Sequence, residues 1–152
     1  ENYYEAILKS MLSVGHRIPK KNILISSDPT RSKVELLNST RMLIEKGYNI
    51  YSTAGTAKFF KENGIDTQIL YWPDEDKEPN IMEYLHDRRI DLVINIPKNH
   101  TKRELDNGYK IRRAAVDYNI PLITNARLAS AFIYAICKVD PAEIAIKSWD
   151  EY

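Results

Sequence analysis

Five short apolar runs in this chain are each followed by a stretch of helical periodicity, and that alternation restricts the fold more than any other feature. Asn22-Ile23-Leu24-Ile25-Ser26, Tyr48-Asn49-Ile50-Tyr51, Thr67 to Trp72, Asp91-Leu92-Val93-Ile94-Asn95-Ile96 and Ile120-Pro121-Leu122-Ile123-Thr124 read as strands. Strands of this length that alternate with helices build βαβ units and a mainly parallel sheet. Right-handed crossovers then give a Rossmann-like α/β fold, an open five-stranded sheet with helices on both faces. Ligands of such sheets bind beyond the carboxyl ends of the strands, so the loops after the strands are where function is expected.

The helices carry their own punctuation. Tyr4, Ile7, Leu8, Met11 and Leu12 recur at helical spacing and stop at Gly15, which predicts a lead-in helix within residues 1–15. Ser32 and Glu35 form a candidate capping box for a helix running to Lys46-Gly47, and a third helix ends at Asn63-Gly64. Pro73 ends the third strand and opens an acidic loop to Pro79, before a helix near Asn80 to Asp87. A polar, basic stretch from Pro97 to Gly108 is expected to precede a helix over Tyr109 to Tyr118, and Asn125 to cap the last helix. Ile144, Ile146 and Ser148 alternate within Glu143 to Trp149, which suggests an extra edge strand. With 152 residues and no linker, repeat or low-complexity tract, a single domain over residues 1–152 is expected.

Charge and composition exclude several function classes. Lys and Arg number 22 against 21 Asp and Glu, a net charge of +1, so no global field favours nucleic acid or an anionic membrane. No apolar run approaches the roughly 18 residues of a membrane span, and no signal peptide is recognisable, so a cytoplasmic location is expected. The opening at Glu1 without Met suggests a piece of a longer chain, although a processed terminus would look the same. Cys137 lies in an apolar run and reads as an inert buried thiol. His16, His86 and His100 have no carboxylate or Cys at metal-ligand spacing, and no metal is expected. Neither G-x-G-x-x-G nor a Walker P-loop is present.

Four places on the expected carboxyl-end rim can hold an anion. Ser52-Thr53-Ala54-Gly55-Thr56 joins strand two to a helix N-terminus, where free N–H groups, the helix dipole and the hydroxyls form a cradle for phosphate or carboxylate. A plain Ser/Thr helix cap is the alternative. Lys33 lies in the loop or first turn after strand one, on the same side. Asn95 ends an otherwise apolar strand, and its amide must find partners that a ligand could supply. Between Lys98 and Arg113, six Lys or Arg face only Glu104 and Asp106, a local charge of +4. Trp72 either walls a ligand or packs under the acidic loop.

At these residues the chain resembles the methylglyoxal-synthase-like domain that ends the carbamoyl phosphate synthetase large subunit. The resemblance covers nearly the whole chain and rests on Ile23-Leu24-Ile25-Ser26, Gly47-Tyr48, Ser52-Thr53-Ala54-Gly55-Thr56, Asp91-Leu92-Val93-Ile94-Asn95 and Tyr109-Lys110-Ile111-Arg112-Arg113-Ala114-Ala115. The closing Ser148-Trp149-Asp150-Glu151-Tyr152 leans towards a bacterial form. The resemblance implies a regulatory domain without catalysis or cofactor of its own. Its partners would be the rest of the large subunit and the glutaminase small subunit, in a parent enzyme that uses ATP with Mg or Mn; self-association stays open. Bacterial members bind UMP or IMP, animal pyrimidine-pathway members respond to UTP and phosphoribosyl pyrophosphate, and urea-cycle members bind N-acetylglutamate. By position, Lys33, Thr53, Thr56 and Asn95 match phosphate-contacting residues of the nucleotide binders. A second phosphate-contacting Lys is Trp72 here, and a Thr after the strand-four Asn is Pro97. Trp72 and Asn107 instead match the N-acetylglutamate pattern, while Lys98 replaces another Asn of it. The effector is therefore open, and a structural interface module is the non-binding alternative. Methylglyoxal synthase itself needs a carboxylate in a Gly-Gly-Asp segment after strand four, where this chain has Asn95-Ile96-Pro97-Lys98-Asn99-His100.

Overall fold

The five strands pair in the order β3-β2-β1-β4-β5, every pairing parallel. They are β1 (Asn22–Ser27), β2 (Asn49–Ser52), β3 (Gln68–Ile69), β4 (Leu92–Ile96) and β5 (Leu122–Ile123). Six helices accompany them: α1 (Tyr3–Ser13), α2 (Thr30–Glu45), α3 (Ala54–Glu62), α4 (Ile81–His86), α5 (Lys102–Asp117) and α6 (Ala126–Lys138). The structure is a computed structural model that describes residues 3–15, 17–27, 30–97 and 101–138, with backbone alone at 30–33.

Covered on both faces, the middle of β1 is a continuous apolar run, the mark of a buried parallel strand, and Ile23, Leu24 and Ile25 are fully buried. Alternate residues then serve two cores. Ile23 and Ile25 join Leu92 and Ile94 under Leu8 of α1, Leu36 and Leu43 of α2, Phe60 of α3 and Phe132 of α6. Leu24 and Val93 point the other way, onto Ile81 and Leu85 of α4 and Ile111 and Ala115 of α5. Truncating a filled position such as Phe132 to Ala would cost about 3 to 5 kcal/mol. Because β2 and β3 lie on one side of β1 and β4 and β5 on the other, the chain reverses direction between β1 and β4. A crevice opens there at the carboxyl ends, where Ser26 is in register with Asn95.

Some boundaries differ from the sequence-based expectation. The strand expected over Thr67 to Trp72 shrinks to two residues, because after Leu70 N donates to Ser52 O the chain leaves β2 and Tyr71 pairs with Asn80 instead. Helix α2 begins at Thr30, two residues before the expected cap Ser32. Helix α5 begins at Lys102, well before Tyr109, because Thr101 caps it by accepting from Glu104 N at 3.1 Å. Half of the expected polar loop is thus helical. Asn125 does cap α6, its Oδ1 accepting from Leu128 N at 2.9 Å. Glu143 to Trp149, the expected extra strand, lies outside the described residues, as do Lys98, His16 and His100.

Candidate functional site

The carboxyl-end rim is held together by hydroxyls. Thr53 precedes α3 in an extended conformation, yet its side chain makes no capping bond to the helix. Its Oγ1 turns towards the sheet, 3.2 Å from Ser26 Oγ and 3.3 Å from Thr56 Oγ1. Thr56 Oγ1 in turn accepts from Ser27 N at 3.1 Å and donates to Ser27 O at 3.2 Å, which ties the first turn of α3 to the end of β1. Thr53 and Thr56 are both fully buried. The simple helix-cap reading of this segment therefore fails. The amides of Ala54, Gly55 and Thr56 have no intrahelical acceptor, and the positive end of the α3 dipole is left uncapped by Thr53. Ser27 Oγ and Ser52 Oγ, at the last rungs of β1 and β2, are buried with no hydrogen-bond partner among the described residues. Such orphans are costly in a finished core and tolerable where a polar guest comes.

A cleft of about 290 Å³ opens against this helix start. Ala54 and Gly55 form one wall, Leu70, Tyr71 and Trp72 another, and Glu75, Arg103 and Glu104 close it from the α5 side. Arg103 holds Asp74 with both arms, Nε to Oδ2 at 2.6 Å and Nη2 to Oδ1 at 3.1 Å, and lies 3.6 Å from Glu75 Oε1. Its guanidinium is 5.1 Å from the centre of the Trp72 ring. The hydrogen bonds from Arg103 hold the Asp74 carboxyl below the usual carboxylate range, against a smaller opposing effect of desolvation. The acidic loop is thereby strapped to α5.

The expected site residues do not all share one surface. Asn95 is buried at the end of β4 and shares a cavity of about 10 Å³ with Ser26 and Trp72. Asn107 is buried beneath the strap, where its Oδ1 accepts from Asp74 N and its Nδ2 donates to Arg103 O. Lys33 falls in the first turn of α2, on the same rim. Thr53, Thr56, Trp72 and Asn95 are thus gathered around the crevice, while Asn107 holds the loop that covers it.

Of the basic residues between Lys98 and Arg113, the three arginines are paired within the protein. Arg103 goes to Asp74, Arg113 to Asp117 at 3.2 Å, and Arg112 Nη1 donates to Asn95 Oδ1 at 2.7 Å. Three rim residues escaped the sequence reading. Ser26 was within reach of the argument that found Asn95, since it too is a polar residue ending an apolar strand. Arg103 could be placed only once α5 was known to start at Lys102, a start signalled by the Thr101 and Glu104 spacing, whereas Arg112 lies in the expected helix and only its bond to Asn95 is hidden from the sequence.

Other chemistry has little support. No group of three or more His, Cys, Asp or Glu able to hold a metal occurs among the described residues. Burial pushes the Cys137 thiol up, away from nucleophilic character. Among the described residues no helix is long and apolar enough to cross a membrane.

The profile of the MGS-like domain family matches residues 35–124. The chain is 43% identical over 150 residues to the multifunctional protein CAD of Squalus acanthias, covering 90% of this chain and 7% of that one. It is 36% identical to the human mitochondrial carbamoyl-phosphate synthase [ammonia], covering 91% of this chain and 9% of the relative. Against the C-terminal section of the carbamoyl phosphate synthase large chain of Aquifex aeolicus it is 37% identical, over 86% of this chain and 24% of the relative. The chain thus spans under a quarter of each of these relatives. The bacterial leaning is not confirmed, since the shark protein is more similar than the Aquifex one. A methylglyoxal synthase from Elizabethkingia anophelis shares the fold, with a TM-score of 0.54 and 17% identity over 76% of this chain and 79% of that one.

Proposed function

This chain belongs to the MGS-like domain family, and from that premise we propose that it is the effector-binding domain of a carbamoyl phosphate synthetase large subunit. The reading is supported by the names of the relatives, which are synthetases or multifunctional proteins many times longer than this chain. The ATP and Mg or Mn of such a synthetase, and its glutaminase partner, belong to the rest of the assembly. In this chain the one observation that carries effector binding is the uncapped start of α3, with Thr53 turned away to the sheet. It offers backbone donors and a positive dipole end to an anion, beside the aromatic wall of Trp72. The domain is regulatory and not catalytic: the segment Asn95-Ile96-Pro97 brings no carboxylate to the crevice for the chemistry of a methylglyoxal synthase.

Regulation requires that the effector bind two states of the whole enzyme with different affinities, so this chain alone can show binding but not coupling. Parallel calorimetric titrations with UMP, IMP and N-acetylglutamate, at low and physiological salt, test the reading. Saturable binding of one of them is expected, weakened about tenfold in Thr53→Ala, which removes the hydroxyl that ties the α3 start to Ser26 and Thr56. Binding of none would turn the proposal towards a structural interface module, which the internally paired arginines of α5 would suit.

A further inference from the structure

Gly108 sits in the middle of α5, where glycine weakens a helix relative to alanine. Its φ is ordinary, so no turn requires it there. The space above it does. A Cβ at position 108 would stand 2.9 Å from Arg112 Nη1, too close for the guanidinium to stay where it is. Arg112, one turn later and half-buried, lies across Gly108, and that same Nη1 donates to Asn95 Oδ1 at 2.7 Å.

From this geometry we infer that Gly108 and Arg112 are positioning residues that fix the amide of Asn95 as a donor for an anionic oxygen at the β1/β4 crevice. Arginine can only donate, so the Asn95 oxygen must face it. The Nδ2 group is then left to donate, and among the described residues it has no acceptor. Ser26, in register with Asn95, and Gly108 line the same small cavity. An arginine at this depth thus acts through the amide, converting a residue that could present either end into one that selects acceptors. The ligand group received there is a phosphoryl or carboxylate oxygen. The inference rests on the effector-binding reading and adds to it the device that orients one of its donors.

The test is an NMR titration of the chain with inorganic phosphate, following the Asn95 side-chain amide signals and the backbone amides of Thr53 and Thr56 in wild type, Gly108→Ala, Arg112→Lys and Arg112→Met. The guanidinium is the far end of a flexible side chain, so Gly108→Ala displaces it without breaking the fold, the helix preference of alanine offsetting the lost bond from Arg112 to Asn95. Phosphate affinity is nonetheless expected to fall about tenfold in Gly108→Ala and Arg112→Met, with Arg112→Lys recovering part of the loss, and with the Asn95 amide signals moved before any phosphate is added. A merely structural glycine would leave phosphate affinity unchanged whatever the variant's stability. Phosphate shifts at Thr53 and Thr56 that are equal in all four proteins would overturn this inference and leave the binding reading standing. No phosphate shift in the wild type would overturn both.

Discussion

The two ends of the parallel sheet carry clefts of opposite character. At the amino end, a groove of about 610 Å³ is bordered by Val14, Arg17, Val116 and Asn119, and it is twice the size of the carboxyl-end cleft. Yet it meets the end of α5 and the turn after α1, where the last carbonyls of helices face outward with partial negative charge. Arg17 fits that setting: its Nη2 donates to Asn119 O at 2.5 Å, satisfying a carbonyl just past α5. Asn119 itself turns with φ of 58°. The carboxyl-end cleft is smaller but meets the starts of α3 and α5, where amides face outward. On the proposed function, the polarity of the parallel sheet sets which end would receive an anion, and neither cleft volume nor a count of arginines predicts it.

The largest effect that would break this contrast is expected at Thr56. Thr56→Val keeps the shape but removes the oxygen that serves both the N–H and the carbonyl of Ser27. A loss of about 1 to 3 kcal/mol in chemical denaturation is expected for the stranded buried groups, together with weaker effector binding. A variant as stable as the wild type would mean that the hydroxyl bridge does not hold α3 to β1.

Next in size is the strap. Arg103→Gln should free Asp74 and Glu75, loosen the loop beside Trp72 and change its emission, read in a Trp149→Phe background. In the intact protein, saturation with the effector should also alter Trp72 emission, since the ring lines the cleft. An unaltered Trp72 signal at saturation would place the ligand elsewhere.

The pH dependence is gentler. Because Arg103 lowers the Asp74 value in the folded state, the unfolded chain binds the proton more readily, and the link contributes above the ordinary carboxylate value of about 3.9. It is lost as pH falls through the lowered folded-state value. An NMR titration should find Asp74 still ionised at about pH 3.9, and Arg103→Gln should return it towards that value. An Asp74 already half-protonated there in the wild type would contradict the strap.

The smallest change is expected at the other end of the sheet. Arg17→Ala should alter stability by no more than about 0.5 kcal/mol and leave effector affinity unchanged, which denaturation and calorimetry can check together. A marked loss of affinity would move the site to the amino-end groove.

How much of this was legible beforehand follows the same physics. The alternation of apolar runs with helical periodicity is enough for the sheet, because the buried middle of a parallel strand, Ile23 to Ile25 in β1, is apolar and polar residues such as Ser26 and Ser27 enter at its end. The edge strands were overestimated, since Ile69 and Gln68 are exposed and nothing in their apolar neighbours says where pairing stops. Thr53, Thr56 and Asn95 stand out in the sequence because hydroxyls and an amide at strand ends are chemically conspicuous, and the fold gathers them at one rim. The strap was hidden, because Arg103, Asp74 and Asn107 come from segments about thirty residues apart in sequence, and only the start of α5 brings them together. Gly108 misled the placement of that start, for a glycine that makes room for Arg112 looks in sequence like the end of a loop.

On the proposed function, anions are received at the start of α3. Amide NMR mapping of the chain with whichever of UMP, IMP and N-acetylglutamate binds tests it most directly. The largest shifts are expected at Ala54, Gly55 and Thr56, with Asn95 following and Arg17 and Asn119 unmoved. Largest shifts around Arg17 and Asn119, with the α3 amides silent, would contradict it.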